Sequence, residues 1–226
     1  MSQADCGTVN TFYTVTIPAT TAEGVHAEDG FYYCDSIAGR WGGQYCPELD
    51  IMEANRYAFQ TTPHPCNKDD ETGNYALCDE YGDHHNTVDL LKNGYGPGKG
   101  YTIDTTEPFH VKMSSKSFVG EILSSYDVTL SQGDKSATMT VSVNKYLESM
   151  SVPLKHQVFV VSSWAGDDSW LRMSDVPCSG IPANSKHTIS NITITTGIDP
   201  FPEEEEEEVL VCDPQHPKSC VGGFNQ

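Results

Sequence analysis

The stretch ELDIMEA, residues 48–54, decides how the rest of this chain is read. It is short, mostly apolar and bounded by Pro47 and Asn55, which marks a strand. Yet it carries three carboxylates, Glu48, Asp50 and Glu53. Side chains alternate along a strand, so Glu48, Asp50 and Met52 share one face and Glu53 has the wrong parity. A β-bulge between residues 50 and 53 adds one residue and brings Glu53 round to join the other two acids. Three acids on one wall cannot all ionise cheaply, so at least one proton is retained near neutrality. The plainer reading is an exposed strand with scattered charge.

Outward from this segment, helical periodicity is scarce. Short β-branched and aromatic runs recur between Gly, Pro, Asn and Asp: residues 11–17, 30–34, 100–106, 109–115, 124–131, 137–144, 156–164 and 187–196. Only NKYLESM, residues 144–150, looks helical. About nine strands with turns between them predict an all-β chain folded as an antiparallel sandwich or barrel. After Pro200 the composition changes to six consecutive glutamates, residues 203–208. Adjacent like charges repel, so the expected organisation is a sandwich over 1–198 and a solvated acidic linker and Cys-containing tail over 199–226.

The net charge is −19, from 13 basic and 32 acidic residues among 226. Such a surface repels phosphate backbones and anionic lipid, so neither nucleic acid nor a membrane is an expected partner. A neutral polymer is indifferent to it. No apolar run is long enough for a membrane-spanning helix. Eight cysteines, with no zinc-type CxxC spacing, predict disulfides in an oxidising compartment rather than a metal site, and they leave the pairing open. The sequon Asn191-Ile192-Thr193 agrees with secretion, although the N-terminus has no signal-peptide pattern.

One ionised and one protonated carboxyl, a sugar's width apart, are what a retaining glycosidase uses. The surroundings of the acids agree. ELDIMEAN followed by TPHPC resembles the catalytic strand of glycoside hydrolase family 7, the fungal cellobiohydrolases and endoglucanases, and the turn after it, which read E-x-D-x-W-E-A-N-S and T-P-H-P-C. YGPGKGYTIDTTEPFHVKM, VFVVSSWAGDDSWL and CSGIPANSKHTISNITITTG are similar to later segments of that family. The resemblance covers residues 45–197 and implies an antiparallel β-sandwich of the jelly-roll, concanavalin-like kind with an open substrate cleft on its concave sheet. Glycoside hydrolase family 16 shares the acid pattern and the sandwich, but not T-P-H-P-C or the Trp-rich strand.

The resemblance implies that Glu48 is the nucleophile, Asp50 its partner and Glu53 the general acid/base. It places His64 near the acids, where an imidazole can donate to a carboxylate or a sugar hydroxyl; the alternative is a turn residue pinned between prolines. It makes Trp164 and Trp170 candidate pyranose platforms, with Trp164 favoured, since the C–H face of a sugar packs on an aromatic ring. Trp41, in a Gly-rich loop, is a candidate rim contact. Asp79, His84, His85 and Asn86 lie in a loop similar to one of the family's, and the two histidines read as surface residues rather than metal ligands. No metal or organic cofactor is expected.

Family 7 domains are usually about twice this length. The interval from Cys34 to Glu48 is short, which implies an open groove and endo-action. Met52 and Arg56 replace the family's Trp and Ser, and Val176-Pro177-Cys178 lacks its arginine, removing a product-side sugar contact. The expected function is therefore a secreted, monomeric, endo-acting retaining β-glycanase, most simply hydrolysing β-1,4 bonds of cellulose or a related β-glucan. The alternative is a non-catalytic glycan-binding or elicitor-like protein on the same fold. Three intact acids favour catalysis; the trimmed loops and Met52 favour the binder.

Overall fold

A computed structural model of the chain describes residues 7–16, 33–41, 43–67, 75–82, 88–90, 94–119, 122–142, 147–148, 150, 157–165 and 187–195. Trp170, His84, His85, Asn86 and the stretch after Pro200 lie outside the described residues. Twelve strands are described: β1 (Thr8–Thr16), β2 (Cys34–Asp35), β3 (Gln44–Tyr45), β4 (Glu48–Ala54), β5 (Phe59–His64), β6 (Val88–Leu90), β7 (Tyr95–Gly96), β8 (Ile103–Asp104), β9 (His110–Val119), β10 (Ile122–Gln132), β11 (Lys135–Val141) and β12 (Gln157–Ala165).

Five of them form one sheet in the order β12-β1-β4-β5-β6, with antiparallel neighbours throughout. Three form a second sheet in the order β11-β10-β9. The β10–β11 turn needs Gly133, whose φ of 59° lies in the left-handed region that a two-residue hairpin loop demands. The alternating pattern of β10 sends Tyr126, Val128 and Leu130 inward, where they are fully buried beside Met139 and Val141 of β11. Leu49, Ala54 and Phe59 of the larger sheet are buried too. Each such large side chain contributes about 1.5–3 kcal/mol on burial. The Tyr126 hydroxyl meets Thr61 Oγ1 at 3.3 Å and ties the two sheets together. The architecture is an all-β sandwich.

The strand at 48–54 forms with the bounds expected for it. β5 was not expected as a strand, because Pro63 and Pro65 read as a turn. Proline is tolerated there because β6 pairs only with residues 59–61. Pro63 lies opposite Leu49 of β4 and has no β6 residue opposite it, so its missing N–H costs no bond on the β6 side. Within the helix-like stretch 144–150, Leu147, Glu148 and Met150 are helical as expected, with Leu147 and Met150 fully buried at i, i+3 spacing.

The chain divides after His187 into two units, Met1–His187 and Thr188–Gln226. The strand expected over 187–196 does not form in residues 187–195. Asn191 has φ 56°, which breaks the extended backbone, and Ile192 and Ile194 are each 47% exposed, so the alternation has no sheet face to bury. Among the described residues no helix is long and apolar enough to cross a membrane.

Candidate active site

In the β4–β5 ladder Glu48 lies opposite His64, Asp50 opposite Thr62 and Glu53 opposite Gln60. Three steps along β4 therefore match two along β5. The β1 side agrees, with Tyr13 opposite Asp50 but Phe12 opposite Met52. One extra residue is inserted at Ile51–Met52, the bulge that the acid spacing requires. Directly opposed residues share a face. One face of the sheet thus carries Glu48, Asp50 and Glu53 in the centre, His64, Thr62 and Gln60 on β5, and Thr11, Tyr13 and Val15 on β1. The other face carries Thr61 with buried Leu49 and Phe59, while Tyr13 and Val15 pack with Cys34 and Cys46 on the acid face.

Each acid has its own set of partners. Glu48 Oε2 accepts from the Ser36 backbone N–H at 2.9 Å and from Ser36 Oγ at 2.7 Å. Ser36 is placed by the Cys34–Cys46 disulfide and by Asp35 Oδ1, which accepts from the N–H groups of Ile37 and Ala38. Asp50 is hydrogen-bonded to the Glu48 carboxyl, and its Oδ2 lies 2.8 Å from His64 Nε2. His64 Nδ1 lies 2.8 Å from the Asp79 carbonyl, which can only accept, so Nδ1 carries a proton. One further proton between Nε2 and Asp50 then completes that contact. Glu53 Oε2 accepts from Gln60 Nε2 at 2.9 Å and from Thr62 Oγ1 at 3.5 Å.

The electrostatics separate the roles. Burial raises the Asp50 pKa well above the ordinary carboxyl value, and the Glu48 charge and hydrogen bond add to it. Burial also raises Glu53 well above its ordinary value, helped by Asp50 and opposed by His64 and Gln60. Both are therefore protonated where an exposed carboxyl has ionised. Tyr13, on the same face, is pushed up to about 12 by burial.

Asp50, Glu53 and His64 offer atoms within 4.8 Å of one another, close enough to surround a cation. Asp50 Oδ2, Glu53 Oε2 and both ring nitrogens of His64 are engaged in the hydrogen bonds above. An open cleft of about 570 Å³ adjoins the Glu48 end of the row, lined by Ser36, Tyr45, Leu77, Asp79 and Tyr81. Leu77 and Tyr81 are 63% and 66% exposed at its mouth. Arg40 and Glu80 also line it and are paired with each other. The Cys66–Cys78 disulfide anchors the loop that carries Leu77 and Tyr81.

The family model for glycosyl hydrolase family 7 matches residues 35–150, just over half of the chain and the whole acid-bearing region. The chain belongs to glycosyl hydrolase family 7. Endoglucanase type C of Fusarium oxysporum is 41% identical over 78 residues, which cover 30% of this chain and 18% of that protein. Endoglucanase EG-1 of Humicola insolens is 30% identical over 131 residues, covering 47% of this chain and 30% of that protein. The chain thus matches less than a third of the length of these relatives. Among solved structures, an endoglucanase I complexed with cellobiose superposes with a TM-score of 0.60 at 20% identity, over 80% of this chain and 59% of that one. That likeness shows the shared fold.

Within this family 7 chain, Glu48, Asp50, Glu53 and His64 come together on one face. Trp164 lies on the same face: it opposes Val9 as Thr11 opposes Glu53. It is therefore about 10 Å across the strands and about 7 Å along from Glu53. It is 39% exposed. Trp41 ends a short 3-10 helix, Ala38–Trp41, and its side chain is outside the described set. Sequence reasoning missed Ser36, which only the fold brings to Glu48. It also missed Gln60 and Thr62, for which a signal existed: they share strand parity with His64.

Proposed function

We propose that this chain is the catalytic part of a secreted, endo-acting, retaining β-glycanase that cleaves β-1,4-glucosidic bonds of cellulose or a related β-glucan. The observation that carries the reading is the bulge in β4, which brings Glu53 onto the face of Glu48 and Asp50. Glu48, which receives two hydrogen bonds from Ser36, attacks the anomeric carbon as a carboxylate. The glycosidic C–O bond breaks as Glu53 gives its proton to the leaving oxygen, forming a glycosyl ester on Glu48. Glu53, now a carboxylate, takes a proton from water, whose oxygen displaces Glu48 from the anomeric carbon with net retention. Asp50 holds a proton toward Glu48, and His64 holds Asp50. Trp164 is a pyranose platform on one side of the acids, and the open cleft at Tyr81 receives chain on the other.

The open cleft supports entry along the length of a polymer, hence endo-action. The disulfides Cys34–Cys46 and Cys66–Cys78 and the exposed Asn191 sequon support secretion. The same reading keeps 1–198 as the hydrolase sandwich and 199–226 as a solvated tail. The test is reducing-sugar release from amorphous cellulose, lichenan and xylan, compared with Glu48→Gln. The proposal expects release that the substitution abolishes. Binding to a glucan with no release would instead establish the glycan-binding alternative.

A further inference from the structure

Gln60 uses only half of its amide. Its Nε2 donates to Glu53 Oε2 at 2.9 Å, while its Oε1 is buried with no hydrogen-bond partner among the described residues. The side chain is 5% exposed and lies directly opposite Glu53 in the β4–β5 ladder. A carboxamide has a donor and an acceptor at equal reach, and half a turn about its last torsion exchanges them.

We propose that Gln60 is the positioning residue of the acid/base: its N–H donates to Glu53 Oε2, as in this structure, and holds the carboxylate once the proton has left, and half a turn of the amide lets its carbonyl accept the O–H when the proton is turned away from the leaving oxygen. This rests on the reading of Glu53 as acid/base. In the first half-reaction Glu53 loses its proton to the leaving oxygen, and the amide N–H is in place to hold the new carboxylate. In the second, Glu53 regains a proton from water, and the amide carbonyl receives the O–H. The acid thus keeps one position through both steps without giving its proton to a fixed base.

The groups facing Glu53 leave this task to Gln60. From β4, Asp50 and Glu48 oppose its ionisation, and from β5 His64 favours it. Thr62 reaches it only at 3.5 Å. On β1 the opposed residue is Thr11, whose hydroxyl meets Ser162 Oγ at 2.6 Å. A side chain kept only for packing would work equally well without its polar atoms.

The test uses the whole chain and two substitutions of similar shape, Gln60→Met and Gln60→Glu. The Glu53 carboxyl is titrated by carbon-13 NMR, which needs no turnover, and thermal unfolding controls for folding. The Met variant removes the donor, so Glu53 titrates at higher pH than in the unaltered chain. The Glu variant adds a second carboxyl, so Glu53 titrates higher still. On β-glucan, Gln60→Met lowers kcat about tenfold with KM within twofold, and the alkaline limb of the pH profile moves up. Identical Glu53 titration in all three proteins overturns the proposal. If titration moves with residue 60 but the unaltered chain releases no sugar from any β-glucan, the role of Gln60 stands and the hydrolase reading fails.

Discussion

His64 Nε2 lies 2.8 Å from Asp50 Oδ2, while the opposite ring nitrogen is held 2.8 Å from the Asp79 carbonyl. The imidazole therefore fixes which oxygen of the buried Asp50 faces Glu48. His64→Ala leaves Asp50 free to turn away from Glu48. The expected result is a fall in kcat of about a hundredfold with KM changed only a few-fold. Michaelis parameters on a soluble β-glucan check it, and an unchanged kcat would remove His64 from the account.

The raised pKa values of Asp50 and Glu53 set a stability trend with pH. Unfolded, these groups ionise near 3.8 and 4.5; folded, they hold their protons to higher pH. Between those limits the folded state binds more protons, so the contribution of these two groups to stability is fullest below about pH 4 and is lost as pH rises through the folded values. Asp104 and Asp127, held low by hydrogen bonds from Thr106 and Thr140, act in the opposite sense, losing their contribution only as pH falls below the ordinary aspartate range. Melting temperature across pH 4–8 is expected to fall less steeply in the Asp50→Asn, Glu53→Gln double variant than in the unaltered chain. Parallel curves would contradict the buried, protonated acids.

Ser36 gives Glu48 Oε2 two hydrogen bonds, one of them from the backbone. Ser36→Ala removes only the hydroxyl, so the backbone bond remains and the loss is partial, about tenfold in kcat/KM. Reduction of the Cys34–Cys46 disulfide releases the segment that carries both donors. It is expected to cost more than the single substitution, as measured in matched assays with and without a thiol.

Gly82 packs against the strand that bears His64. Its φ is 61°, and a Cβ there would lie 2.1 Å from Thr62 Cγ2 and 3.3 Å from His64 Cε1. Gly82→Ala must therefore strain the turn or push Thr62 and His64 away. Lower thermal stability together with reduced kcat is expected; a variant with both unchanged would show that the turn does not press on the site.

How much of this was legible in the chain depends on the range of the interactions. The acid strand was readable because parity is local: the misplaced Glu53 announced its own bulge. β5 was not, since its prolines signal a turn until it is known that β6 ends before Pro63. Gln60 and Thr62 were within reach, being two and four residues from His64 on one strand. Ser36 was not, because its contact with Glu48 is made by the Cys34–Cys46 loop folding back, and eight cysteines do not declare their pairing. The strand expected at 187–196 failed through a single residue, Asn191, whose left-handed backbone breaks an otherwise regular alternation.

The most direct test of the account is to trap the covalent intermediate. A 2-deoxy-2-fluoro cellobioside with a good leaving group forms the glycosyl ester readily and hydrolyses it slowly. Peptide mass spectrometry should then find one added fluorocellobiosyl unit on the segment holding residues 48–54, at Glu48, and none in Glu48→Gln. Turnover of β-glucan with the label on any other residue, or with no label at all, would contradict it.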